Sequence, residues 1–143
     1  LAPGRAEEWP RNLAAAEDET GRIDSAFVHI RRLTVLRPDL AAGWYTLGNL
    51  YVRVDKPDSA ILAYRESIRL LPNFAQAENN LGAVHERQGH LEEALAAYRR
   101  ALVDFPGYPD ATNNLRRLSA ELGRPSALDP LAPGPAGAAG AAR

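Results

Sequence analysis

The sequence contains no cysteine and no methionine. Without cysteine there are no disulfides, no thiolate metal sites, no iron–sulfur clusters and no cysteine nucleophile, and the redox compartment is left undetermined. Methionine is missing even at position 1, so Leu1 is expected to mark a processed product or a fragment of a longer chain. Charge of one sign is missing as well: 17 Lys+Arg against 18 Asp+Glu give a net charge of −1. No field is available to draw in nucleic acid or an anionic membrane. No apolar run approaches the roughly 20 residues that span a bilayer, so membrane insertion is not expected. The opening Leu1-Ala2-Pro3-Gly4-Arg5, followed by Glu7-Glu8, has no apolar signal core.

What is present is a period. Within 143 residues, 45% of them hydrophobic, one domain or a short repeat array can be built. Pro38, Pro72 and Pro106 stand 34 residues apart. Leu13, Leu47, Leu81 and Leu115 recur at the same interval, as do Ala26, Ala60 and Ala94. Gly21, Gly89 and Gly123 share one register in which Asp55 fills the second slot, and Ile30, Tyr64 and Tyr98 share another. Agreement of five columns on one interval identifies a repeat architecture.

Each repeat reads as two helices. Trp44, Leu47, Gly48 and Tyr51 lie at i, i+3, i+4 and i+7, one face of a helix, and Ala60, Tyr64 and Ser67-Ile68 continue that spacing in a second. Between them, Asp55-Lys56-Pro57-Asp58 is a turn in which aspartate can cap the new helix and proline suits its first turn. Gly89-His90 ends a helix and Glu92-Glu93 opens the next, with carboxylates at the positive end of the helix dipole. Second helices stop before Pro38, Pro72 and Pro106, because proline disfavours a helical residue ahead of it.

Trp44, Leu47-Gly48, Tyr51, Ala60, Tyr64 and Pro72 together resemble the pattern of the tetratricopeptide repeat family. The third repeat keeps Leu81-Gly82, Ala94, Tyr98, Ala101 and Pro106 but has Glu78 and His85 where large aromatics are usual. The first has Leu13-Ala14, Gly21, Ala26, Ile30 and Pro38, with Pro10 and Glu17 replacing its aromatic pair. Repeats are expected at 7–40, 41–74 and 75–108, with a capping helix at 109–122 whose outer side is polar. The resemblance implies an all-α fold, a right-handed α-solenoid of three helix pairs plus that cap. Residues 1–6 read as a flexible segment. The tail from 123 is Pro/Gly/Ala-rich, with 14 such residues among the 19 from Pro125 to Arg143, and reads as disordered.

Catalytic and cofactor chemistry finds no support. His85 and His90 are five apart, not the i, i+4 spacing of a helical zinc pair, and His85 falls on a core position of the family. His29 and His90 have no partners placed by a motif. The glycines are spread singly, so no phosphate-cradling loop exists. Gly48 and Gly82, each about 1 kcal/mol worse than alanine inside a helix, are read as allowing close approach of the two helices of a repeat. Trp44, Tyr51, Tyr64 and Tyr98 are placed on the core side. No enzyme, metal or cofactor is expected.

The face turned away from that core is the candidate site. Residues two before, two after and five after each repeat leucine are rotated well away from it at 100° per residue. They are Arg11, Ala15 and Asp18; Tyr45, Asn49 and Val52; Asn79, Ala83 and Glu86; Asn113, Arg117 and Ala120. The resemblance implies that first helices line a concave groove. Asparagine recurs there, and its amide can both donate to and accept from the backbone of an extended peptide. Asn80 and Asn114, just before the repeat leucine, resemble the asparagine ladder of O-GlcNAc transferases; Asn12 and Thr46 hold the same slot elsewhere. A chaperone-type carboxylate clamp is not expected. Its slots hold Arg11, Ala15, Thr46, Gln76 and Asn80 in one frame and Tyr45, Asn49, Asn80, Asp110 and Asn114 in the other, without the required cations.

The groove candidates are therefore Arg11, Tyr45, Asn49, Asn79, Asn80, Glu86, Asn113, Asn114 and Arg117, and the expected partner is a protein or peptide in extended conformation. An accessory domain of a longer enzyme is the alternative, and self-association through an array end is a third reading. Sixteen Arg against the single Lys56, with abundant Ala, Gly and Pro, point to a high-GC bacterial source and leave the compartment, cytoplasmic or periplasmic, undetermined.

Overall fold

The three prolines do what their spacing requires. The computed structural model describes residues 19–124 and 126, all helix and connecting turn: α1 Glu19–Leu36, α2 Ala41–Arg53, α3 Pro57–Leu70, α4 Ala75–Arg87, α5 Leu91–Asp104 and α6 Pro109–Glu121. α1, α3 and α5 each end two residues before Pro38, Pro72 or Pro106. Residues 1–18, with the start of the repeat expected at 7–40 and the groove candidate Arg11, and nearly all of the tail lie outside the described residues.

The turns follow from backbone conformation. Gly89 and Gly123 have φ of 78° and 63°, the left-handed region that glycine enters without steric penalty. Asp55, in the same column, takes φ 56°, and aspartate is among the few other residues that tolerate it. Asp55 therefore serves as the turn residue of its column. Gly21 does not follow its column, since α1 runs straight through it. In α3 the proline at 57 starts a new helix, whereas the equivalent residue of α1, Ile23, is an ordinary helical residue.

The helices α2, α4 and α6 begin after Leu40, Phe74 and Tyr108, none of which makes a side-chain capping bond. These three positions are themselves 34 apart. Tyr108 packs beside Ala75, Ala101 and Ala111 and stacks on Phe105 at 5.6 Å, so this slot anchors the chain's entry into the helix by apolar packing.

The chain divides into two compact units, Leu1–Leu70 and Leu71–Arg143. In the N-terminal unit α1 packs on α2 and α2 on α3. Ala26 and Leu50 form a buried cluster with Ile23, Phe27 and Ile30 around it, and Phe27 meets Tyr51 at 5.3 Å. Ser67 Oγ donates to the carbonyl of Ala41 at 2.9 Å, tying the end of α3 to the start of α2. In the C-terminal unit α4 packs on α5 and α5 on α6. Its core is Ala94, Leu95, Tyr98, Leu115 and Leu118, flanked by Leu91, Leu102 and Leu122. The repeated leucines 47, 81 and 115 and alanines 26, 60 and 94 are all buried, as one apolar stripe per helix demands.

The aromatic columns divide. Tyr64 and Tyr98 are 1% exposed. Trp44 and Tyr51, read from sequence as core residues, are only half-buried. Trp44 keeps its indole N–H at the surface, where it donates to the carbonyl of Pro38 at 3.0 Å, the usual arrangement for a ring with one polar edge. Tyr51 Oη sits 3.4 Å from an Arg31 guanidinium nitrogen.

Candidate functional site

The inner-face positions are built on the first helices, and the tyrosines of the second helices reach through to them. In the N-terminal unit Tyr64 donates its hydroxyl to Asn49 Oδ1 at 2.6 Å. In the C-terminal unit Tyr98, one repeat later, donates to Glu86 Oε2 at 2.7 Å. The acceptor slot changes because the side chains change. Ala83 stands where Asn49 stands and offers nothing, while Glu86 stands where Val52 stands and does. A buried hydroxyl needs a partner, and each repeat supplies it from one of two adjacent slots on the same face.

Glu86 is also the hub of an ion-pair network. Arg117 Nη1 and Nη2 reach its two carboxylate oxygens at 2.6 and 2.9 Å, and Nη1 lies 3.2 Å from Glu121. The forked guanidinium matches the carboxylate in bidentate fashion. Arg117, then the Tyr98 hydroxyl, hold the Glu86 carboxyl below its ordinary range against partial burial. Hydrogen bonds to Glu86 and then to Glu121 raise the Arg117 guanidinium, and burial followed by the hydrogen bond to Glu86 raises the Tyr98 phenol.

The amides are brought together in one place. Asn114 Nδ2 on α6 donates to Asn79 Oδ1 on α4 at 3.0 Å. The sequence grouped Asn114 with Asn80; the structure pairs it with Asn79, which is buried at 6% exposure where a solvated groove residue was expected. Asn80 is half-buried and Asn113 exposed. Tyr45 is half-buried with its ring 6.0 Å from that of Tyr64. Asn49 and Tyr45 thus line the α2 face of the N-terminal unit, and Asn79, Asn114, Glu86 and Arg117 line the α4–α6 face of the C-terminal unit.

Sequence reasoning singled out Glu78 only as a departure from the family pattern. It is buried where an aromatic was expected, and Arg100 Nε donates to its Oε2 at 3.1 Å. Burial raises its carboxyl, opposed by Arg100 and reinforced by Asp104. The 34-residue offset from Trp44 is the signal that locates it. His85 is buried, with its ring 5.9 Å from that of His90. Among the described residues no three His, Asp or Glu gather where they could hold a metal ion, and no helix is long and apolar enough to cross a membrane.

Residues 45–109 match the family model for the tetratricopeptide repeat. That segment is a tetratricopeptide repeat region. Two solved structures share the fold of this all-α repeat protein. One is the first tetratricopeptide repeat domain of Spaghetti (RPAP3) bound to the HSP90 peptide SRMEEVD, at TM-score 0.70 and 24% identity over 82% of this chain and 89% of that one. The other is MamA, at TM-score 0.67 and 22% identity over 84% of this chain and 78% of that one. A search of curated protein sequences finds no match.

Proposed function

We propose that this tetratricopeptide repeat protein is a non-enzymatic scaffold that binds a protein or peptide in extended conformation along the inner faces of its first helices. The observation that carries the reading is the Asn79–Asn114 amide pair, which joins α4 to α6 beside Leu81 and Leu115. Asn114 keeps its carbonyl oxygen for a ligand N–H, so it can read a peptide backbone without reading side chains. The peptide carried by the RPAP3 domain supports a peptide as the kind of partner. The clamp slots of this chain lack the cations that an acidic chaperone tail would need there, so a different partner is expected.

An immobilised random heptapeptide library tests the reading. The wild-type chain should retain peptides, and Asn114→Ala should weaken them about tenfold, alike across sequences, with unchanged helicity. If the folded wild-type protein retains no peptide, the scaffold reading is wrong.

A further inference from the structure

The most elaborate polar arrangement of the C-terminal unit is not the amide pair but the ion pair beside it. Arg117 stands two residues after Leu115 and Glu86 five after Leu81, both on the face proposed for the ligand. The Arg117 side chain is 46% exposed and that of Glu86 20%. Glu86 presents both oxygens to the two terminal nitrogens of Arg117, at 2.6 and 2.9 Å. That is the geometry in which arginine recognises a carboxylate from any source.

We propose that Arg117 is the receptor for a carboxylate of the bound peptide, and that Glu86 occupies it in the free protein as an intramolecular competitor. The proposal rests on the peptide-scaffold reading and assigns that partner its charge. Three features of the site carry it. First, the Arg117 side chain is 46% exposed, so a ligand carboxylate can reach its guanidinium and exchange with Glu86 there. Second, Glu86 is not stranded when Arg117 leaves, because the Tyr98 hydroxyl still donates to it at 2.7 Å. Third, Glu121, at 3.2 Å from one nitrogen only, is a weaker second intramolecular carboxylate on the same guanidinium. An internal carboxylate tethered beside its receptor acts at high effective concentration, so it weakens every acidic ligand while leaving neutral ones untouched. The carboxylate can come from an acidic side chain or from a peptide C-terminus, and the two are separable.

The test uses fluorescein-labelled heptapeptide pools, degenerate except at two central positions, with binding read by fluorescence polarisation. The amidated pools carry central Glu-Glu, Gln-Gln or Lys-Lys, and one Gln-Gln pool has a free C-terminus. Glu86→Gln preserves a carbonyl acceptor for Tyr98 and removes the competing charge. It should strengthen binding of the Glu-Glu pool about tenfold relative to the amidated Gln-Gln pool. Adding Arg117→Gln should erase that gain. A gain for the free-C-terminus pool instead identifies a terminal carboxylate as the ligand group. Glu121→Gln touches only Arg117 and should move the same pool in the same direction, less far. This second variant keeps the test open if Glu86→Gln shows reduced helicity.

The proposal is overturned if neither variant gains affinity for a carboxylate pool, if the gain survives Arg117→Gln, or if the Lys-Lys pool is the one preferred. Retention of the amidated Gln-Gln pool alongside any of these results leaves the scaffold reading standing. Absence of binding by every pool to every folded variant overturns both.

Discussion

A Cβ added to Gly82 would lie 2.7 Å from Cε1 of Tyr98 and 3.2 Å from the Ala94 carbonyl oxygen. The ring cannot yield, because it is buried and its hydroxyl is held by Glu86. Gly48 stands to Tyr64 in the same way, at 2.6 Å. Each glycine of this column is there because the tyrosine of the second helix lies against the backbone of the first. Gly82→Ala should gain up to about 1 kcal/mol of helix propensity and lose more than that to overpacking, which runs at about 1–3 kcal/mol. Urea melts should show net destabilisation. A stabilised variant would mean that the ring shifts freely.

Two carboxylates of α4 should give opposite pH dependences. Glu86 is held low by Arg117 and Tyr98, so its contribution to stability is present above the ordinary carboxyl range and is lost as pH falls through its depressed value. Glu78 is raised by burial, so its contribution is greatest when it is protonated and is lost as pH rises through its raised value. At neutral pH Glu78→Gln should therefore melt at or above the wild type, with the gap closing as pH approaches about 4.5, and Glu86→Gln should flatten the acid limb. Thermal melts between pH 4 and 8 check both signs.

The helix pairs were legible because repeat packing is periodic: a leucine, an alanine or a proline must return every 34 residues. The stops before proline were legible because they are local backbone sterics. Partner choice across the inner face was not. Whether Asn114 meets Asn79 or Asn80 depends on the rotation of α4 against α6, which no single-helix pattern contains. The hydroxyl of Tyr64 finding Asn49, and that of Tyr98 finding Glu86, depends on what fills two neighbouring slots at once. Asn49, read as a solvated ligand contact, is engaged inside its own unit. The column Leu40, Phe74 and Tyr108 was readable from the interval, but it looks like loop until the helices starting after it are seen to lack side-chain caps.

The sequence places Trp44 on the core side, where truncation of a large aromatic ring costs about 3–5 kcal/mol. Its half-burial and its bond to Pro38 lower that expectation. Trp44→Phe keeps the ring packing and loses the indole donor, so it should cost about 0.5–1.5 kcal/mol, one net hydrogen bond. Trp44→Ala should fall below the core range. Chemical denaturation of the two variants separates the terms, and a phenylalanine variant as damaged as the alanine variant would make the hydrogen bond dominant.

The two-slot arrangement of the inner face makes a stronger claim, because it can be moved from one repeat to the other. In the C-terminal unit Glu86→Val installs the side chain that the preceding repeat carries at that slot, and it strips Tyr98 of its acceptor and Arg117 of its bidentate partner. A buried hydroxyl left without its bond costs about 1–3 kcal/mol, so the single variant should be destabilised by that order. Adding Ala83→Asn places an amide oxygen where Asn49 offers one to Tyr64. The double variant should then recover about 1 kcal/mol, one net hydrogen bond, although the Arg117 pair remains broken. Ala83→Asn alone should recover nothing, since Glu86 already accepts from Tyr98. Urea melts of the three variants form a double-mutant cycle. Strict additivity would mean that the hydroxyl does not exchange acceptors, and that the two slots are independent surface positions.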